Sequence, residues 1–82
     1  RNPPGEKSAG ELLERAGCKG MVRGAAAVST THANFIINKG GASAGDVIGL
    51  MDECRRRVYE ESGISLEPEV RLLGEIELKP VQ

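Results

Sequence analysis

Apolar positions along this chain change period several times, and each change marks an element. Ala9, Leu12, Leu13 and Ala16 repeat at 3, 4 and 7, one stripe of a short helix. Ser8 is placed to cap it, with Glu11 at the capping-box spacing, and Gly17 is a natural stop. Glycines at 20 and 24 disfavour continuous helix through the alanine run, which predicts short extended pieces around 21–22 and 26–28. Asn34-Phe35-Ile36-Ile37-Asn38 reads as a buried strand with polar ends, broken by Lys39-Gly40-Gly41. A long helix is predicted over 43–62, with Ser43 as cap, Asp46 three residues on and Gly63 as stop. Ala44, Val47, Ile48, Met51, Cys54, Val58 and Tyr59 are assigned to its apolar stripe, while Gly49 weakens its interior. Residues 66–73 alternate like a strand, and a tail with strand character, Glu75 to Leu78, ends at Pro80. The expected class is α+β in two layers, two helices packed on a small mixed or antiparallel sheet.

The segment Leu66-Glu67-Pro68-Glu69-Val70-Arg71 carries a carboxylate and a cation two residues apart. On a strand Glu69 and Arg71 share one face, while Leu66, Val70 and Leu72 mark the packed face. Such a pair can present an acid beside a cation at a cleft. Spacing alone favours a half-solvated strand with a surface ion pair, because structural ion pairs are commoner than perturbed catalytic ones.

Composition narrows the picture. Eighty-two residues make one domain, 1–82, with a modest core, and Phe35 and Tyr59 are the only rings besides His32, so that core is aliphatic. Eleven basic against twelve acidic side chains give a net charge of −1, which argues against a dedicated nucleic-acid surface. Cys18 and Cys54 have no metal-ligand spacing, and one histidine does not complete a zinc site with them, so no metal is expected. Free thiols in a reducing compartment are expected. No apolar run approaches a membrane span. The chain does not begin with Met, which suggests part of something longer.

Other candidates are weaker. Lys39-Gly40-Gly41-Ala42-Ser43 is a glycine-rich turn before a helix; it can cradle phosphate or simply join strand to helix. His32, beside Ala33-Asn34, can hold a polar ligand or satisfy loop carbonyls. Arg55-Arg56-Arg57 fans around a helix among acidic neighbours and reads as a solvated face. Lys19 can reach a phosphate or the end of the first helix, and it can lower the pKa of the adjacent Cys18 thiol, although no base accompanies that thiol in sequence.

Four stretches together resemble one family: Arg1-Asn2-Pro3; Ser8-Ala9-Gly10 with Leu12 through Lys19-Gly20; His32 through Ala42; and Leu66 through Arg71. In order and spacing they resemble the C-terminal, substrate-binding domain of UDP-N-acetylenolpyruvoylglucosamine reductase (MurB), nearer its type II branch. The resemblance implies a flavoenzyme of bacterial, cytoplasmic peptidoglycan precursor synthesis. It implies an FAD-binding region of the same polypeptide, preceding this domain and absent from this chain, with NADPH as co-substrate. The reduced flavin delivers hydride to UDP-N-acetylglucosamine enolpyruvate, and a serine protonates the enol to give UDP-N-acetylmuramate.

Carried over residue by residue, the resemblance makes Glu69 the catalytic glutamate of the Pro-Glu-Val-Arg segment. Arg71 then binds the substrate carboxylate or holds Glu69. Asn2 falls in the segment that contacts the pyrophosphate, Lys19 matches a lysine near the UDP moiety, and His32 matches a polar position near the same group. Cys18 replaces the family's usual aliphatic neighbour of that lysine. The catalytic serine belongs three residues before the Asn-Pro segment, outside a chain that starts at Arg1; Ser8 is a helix cap, not its substitute. The isolated polypeptide is therefore expected to lack reductase activity. The alternatives are a non-enzymatic module that binds a nucleotide-sugar or another anion, and a purely structural or oligomerisation domain.

Overall fold

The computed structural model describes residues 8–70 and 76–81. The elements run helix α1 (Ala9–Arg15), strands β1 (Val22–Arg23), β2 (Ala26–Val28) and β3 (Phe35–Asn38), helix α2 (Ala44–Ser62), and strands β4 (Ser65–Val70) and β5 (Ile76–Val81). The strands form one five-stranded sheet in the order β1-β2-β3-β5-β4, with every neighbouring pair antiparallel. Both helices pack on one face, giving the expected two-layer α+β architecture.

Local chemistry sets the helix ends. The Ser8 hydroxyl accepts from the Glu11 N–H at 3.2 Å and opens α1. The helix closes with two reversed bonds, Cys18 N–H to Leu13 O at 2.9 Å and Gly17 N–H to Glu14 O at 3.1 Å, with Gly17 at φ 79°. That is a Schellman closure, and it needs a residue free to adopt the left-handed region. At the start of α2 the capping box is reciprocal: Ser43 accepts from the Asp46 N–H, and Asp46 accepts from the Ser43 N–H. Gly63, at φ 76°, ends the helix where expected.

The core is aliphatic. Leu12 and Leu13 of α1 and Leu50, Cys54 and Val58 of α2 meet Val28, Ile36, Leu66 and Leu78 of the sheet, all essentially buried. The apolar stripe of α2 corrects the sequence reading. Leu50, left out of that stripe, is fully buried, whereas Ile48 and Tyr59 are more than half exposed and Ala44 is exposed. The buried line runs through positions 47, 50, 51, 54 and 58, a 3–4 spacing centred one residue away from Ile48. Gly49 also gains a reason. The Arg23 guanidinium lies across it, and a Cβ at that position would overlap the Arg23 side chain.

The C-terminal strand differs from the expected tail as well. β5 starts at Ile76 and continues through Pro80 to Val81 instead of stopping at proline. The Leu78 N–H donates to Asn34 O at 2.7 Å, so even-numbered amide nitrogens of β5 face the β3 side. Pro80 therefore points its nitrogen beyond the start of β3, where no ladder bond is required. The same geometry makes Leu78 and its partner Pro68 a non-hydrogen-bonded pair, which turns the Pro68 nitrogen outward from β4, the last strand of the sheet. No described helix is long and apolar enough to cross a membrane.

Candidate functional site

Strand alternation builds the site. Leu66 and Leu78 fill the core face of β4 and β5, so Glu67, Glu69, Glu77 and Lys79 stand on the face that the helices leave uncovered. Register aligns Glu69 with Glu77, and Glu77 with Phe35 of β3, in one row across three strands. At the usual inter-strand spacing that row is about 10 Å long. Lys79 Nζ lies 3.6 Å from Glu69 Oε2, and the two side chains are 47% and 48% exposed. The Asn34 amide donates to Glu77 Oε2 at 3.4 Å. The His32 ring meets Phe35 edge-to-face, with centroids 6.1 Å apart and planes 77° to each other.

The turn holding His32 is set by short-range bonds. Ser29 Oγ accepts from the Thr31 and His32 N–H groups, and the Phe35 N–H donates to His32 O. These leave the imidazole exposed at the end of the row, against Phe35. Lys19 approaches from another direction. Its ammonium is held by Glu14 Oε2 at 3.0 Å. The Lys19-Gly20 turn abuts the His32 turn, since a Cβ on Gly20 would lie 3.5 Å from Thr30 Cγ2. The structure thus brings Glu69 and His32 to opposite ends of one row and sets the Lys19 turn beside it. Asn2 and Arg71 lie outside the described residues, and with them the expected Glu69–Arg71 pairing.

Sequence reasoning missed Lys79 and Glu77 as neighbours of Glu69. Neither is close to Glu69 in sequence, and only the β4–β5 register joins them. The glycine-rich turn takes its plain role. The N–H groups of Gly40 and Ala42 donate to Asn38 Oδ1 at 2.8 and 3.1 Å, and Ser43 caps α2. Arg56 and Arg57 bind Glu53, Arg56 also binds Glu60, and Arg55 lies 3.9 Å from Asp52. Those pairs form the solvated face that the arginine run suggested. Hydrogen bonds from Arg57 and then Arg56 hold the Glu53 carboxyl below the ordinary glutamate range.

A half-exposed carboxylate beside an ammonium, on the sheet face away from both helices, can hold or donate a proton to a ligand laid across the row. The amide, ring and imidazole further along supply polar and stacking contacts.

Residues 1–73 match the family model described as UDP-N-acetylenolpyruvoylglucosamine reductase, C-terminal domain. Relatives carrying the name UDP-N-acetylenolpyruvoylglucosamine reductase include one from Heliobacterium modesticaldum, 55% identical over 90% of this chain and 24% of the relative. One from Gloeobacter violaceus is 57% identical over 90% of this chain and 25% of the relative. One from Methylorubrum extorquens is 50% identical over 98% of this chain and 25% of the relative. The chain thus spans about a quarter of the length of these relatives.

Proposed function

Because the chain belongs to the family of UDP-N-acetylenolpyruvoylglucosamine reductase C-terminal domains, we propose that it is the substrate-binding, part-catalytic domain of that reductase. The enzyme in this reading is FAD-dependent, takes its electrons from NADPH, and converts UDP-N-acetylglucosamine enolpyruvate to UDP-N-acetylmuramate. The reaction serves peptidoglycan synthesis in the bacterial cytoplasm. When bound, the flavin supplies the hydride. Two grooves beside α2 offer no apolar slot for its ring: one is lined by Ala16, Arg56, Arg57, Glu60 and Glu61, the other by Asp52, Arg55, Arg56, Tyr59, Ser65 and Leu66, so charged and polar side chains predominate in both. The flavin is assigned to the region of the enzyme that this chain does not include.

The chain's own residues do the rest of the work assigned here. Glu69 holds or passes a proton at the reacting carbon from the uncovered sheet face. Lys79, beside it, offsets negative charge that builds up on the enolpyruvyl group. Lys19 exchanges Glu14 for the nucleotide diphosphate, with His32 and Asn2 on the same group, and Arg71 takes the substrate carboxylate or holds Glu69. In this reading turnover needs the flavin region and the serine proton donor of the enzyme as well as these residues.

The observation that carries this reading is the family match through Pro68-Glu69-Val70-Arg71, together with the position of Glu69 on the face clear of both helices. The test is Glu69→Gln in the full-length reductase. The expected result is turnover reduced about 10²–10⁴-fold, the range for losing a positioned acid or base, with flavin still bound and still reduced by NADPH. Near-normal turnover returns Glu69 and Lys79 to an ordinary surface pair and favours a module that only binds nucleotide-sugar.

A further inference from the structure

Phe35 is the chain's single phenylalanine, and it is not part of the core cluster. Its neighbour on β3, Ile36, is fully buried beneath the helices. Strand alternation puts Phe35 on the opposite face, where it is half-buried in the row that holds Glu77 and Glu69. We propose that Phe35 is a substrate-contact residue that sets specificity, an aromatic platform against which the sugar ring of the nucleotide-sugar packs.

The order of groups along the row carries this assignment, which rests on the proposed function. That reading sets the enolpyruvyl group at Glu69 and the diphosphate at His32. In the substrate the sugar ring joins those two groups. In the sheet Phe35 occupies the same intermediate place. It lies two strands from Glu69, about 10 Å along the row, and its ring centroid is 6.1 Å from that of His32. A ligand that reaches both ends must cross this ring.

The ring is also the right kind of surface. Apart from the anomeric oxygen, the substituents of N-acetylglucosamine are equatorial, so axial C–H bonds leave both faces of the sugar apolar. Such C–H groups suit the electron-rich face of an aromatic ring. Polar groups flank the platform: Glu77 directly across on β5, the Asn34 amide that donates to it at 3.4 Å, and the exposed His32. An apolar centre with a few polar neighbours is the usual make-up of a ligand site. The platform is fixed in advance. The Phe35 N–H donates to His32 O and the Phe35 carbonyl accepts from the Ser29 N–H, both at 2.9 Å, and the His32 ring stands edge-to-face against it. Little ordering is left to pay for on binding.

The test compares two nucleotides in the full-length reductase, UDP-N-acetylglucosamine and UDP, by titration calorimetry. In Phe35→Leu the affinity for UDP-N-acetylglucosamine should fall about tenfold, the scale of one lost apolar contact. UDP, which lacks the sugar, should change less than about twofold on the same scale. Phe35→Tyr keeps the ring and should keep the wild-type affinities. In turnover, Phe35→Leu should raise KM for UDP-N-acetylglucosamine enolpyruvate with kcat and the NADPH half-reaction little changed. Wild type that binds neither nucleotide sinks the nucleotide-sugar reading, and the platform with it. Wild type that binds both, with Phe35→Leu weakening the two equally or neither, leaves that reading standing and overturns the platform alone. Loss of flavin or of its reduction by NADPH in Phe35→Leu also overturns it, because Phe35 then seats the flavin region instead of the sugar.

Discussion

Glu69 and Glu77 face each other directly across the β4–β5 pair, and Lys79, displaced by one row, holds Glu69 at 3.6 Å. Like charges in direct cross-strand register are unfavourable, and the lysine offsets them. Replacing Lys79 with Met should therefore destabilise the domain, by less than about 1 kcal/mol because the pair is half exposed. The loss should shrink as salt is raised, which urea unfolding at two ionic strengths would show. A loss independent of salt would mean that Lys79 acts through its aliphatic stem.

Leu13 is fully buried between α1 and the rest of the core. Leu13→Ala should cost about 2–5 kcal/mol. In urea the midpoint should fall with an unchanged slope if only stability has altered.

Gly24 and Gly63 both have positive φ, 58° and 76°. A Cβ at Gly63 meets nothing within 4 Å, while one at Gly24 runs into the Asp46 carboxylate that caps α2. Gly63→Ala should cost about 1–2 kcal/mol from the left-handed backbone alone. Gly24→Ala should cost more, because it also displaces the cap. Equal losses in thermal or urea unfolding would show that Asp46 moves aside freely.

Glu53 accepts from Arg57 and Arg56, which lowers its folded-state pKa. A depressed carboxyl adds stability above its unfolded pKa and loses that contribution as pH falls through the folded value. The loss should therefore begin near the ordinary glutamate value, about pH 4.3, and continue below it. Over this acid range the wild-type melting temperature should fall more steeply than that of Glu53→Gln. Parallel curves would remove Glu53 from the acid response.

Elements with local signals were legible in the sequence. The long helix was expected over 43–62 and is Ala44–Ser62, because its serine box and terminal glycine act within a few residues. The 34–38 strand and the two short pieces before it are Phe35–Asn38, Val22–Arg23 and Ala26–Val28. The exact buried side of α2 was less legible, since Ile48 and Leu50 are both apolar and only the neighbouring strands decide which is covered. The strand through Pro80 was hidden for a similar reason. Whether a proline breaks a ladder depends on which side its nitrogen faces, and the partner strands set that. The candidate site divides the same way. Glu69 was found from its own segment, but its companions Lys79 and Glu77 arrive through pairing.

Pro68 sits midway along β4, the edge strand among the described residues, with its nitrogen turned outward. An exposed strand margin is an open template on which another chain can lay a further strand. Here the template has a missing donor at its centre, and a newcomer in register would find no hydrogen to accept there. A proline at that position makes β4 a poorer template for a further strand.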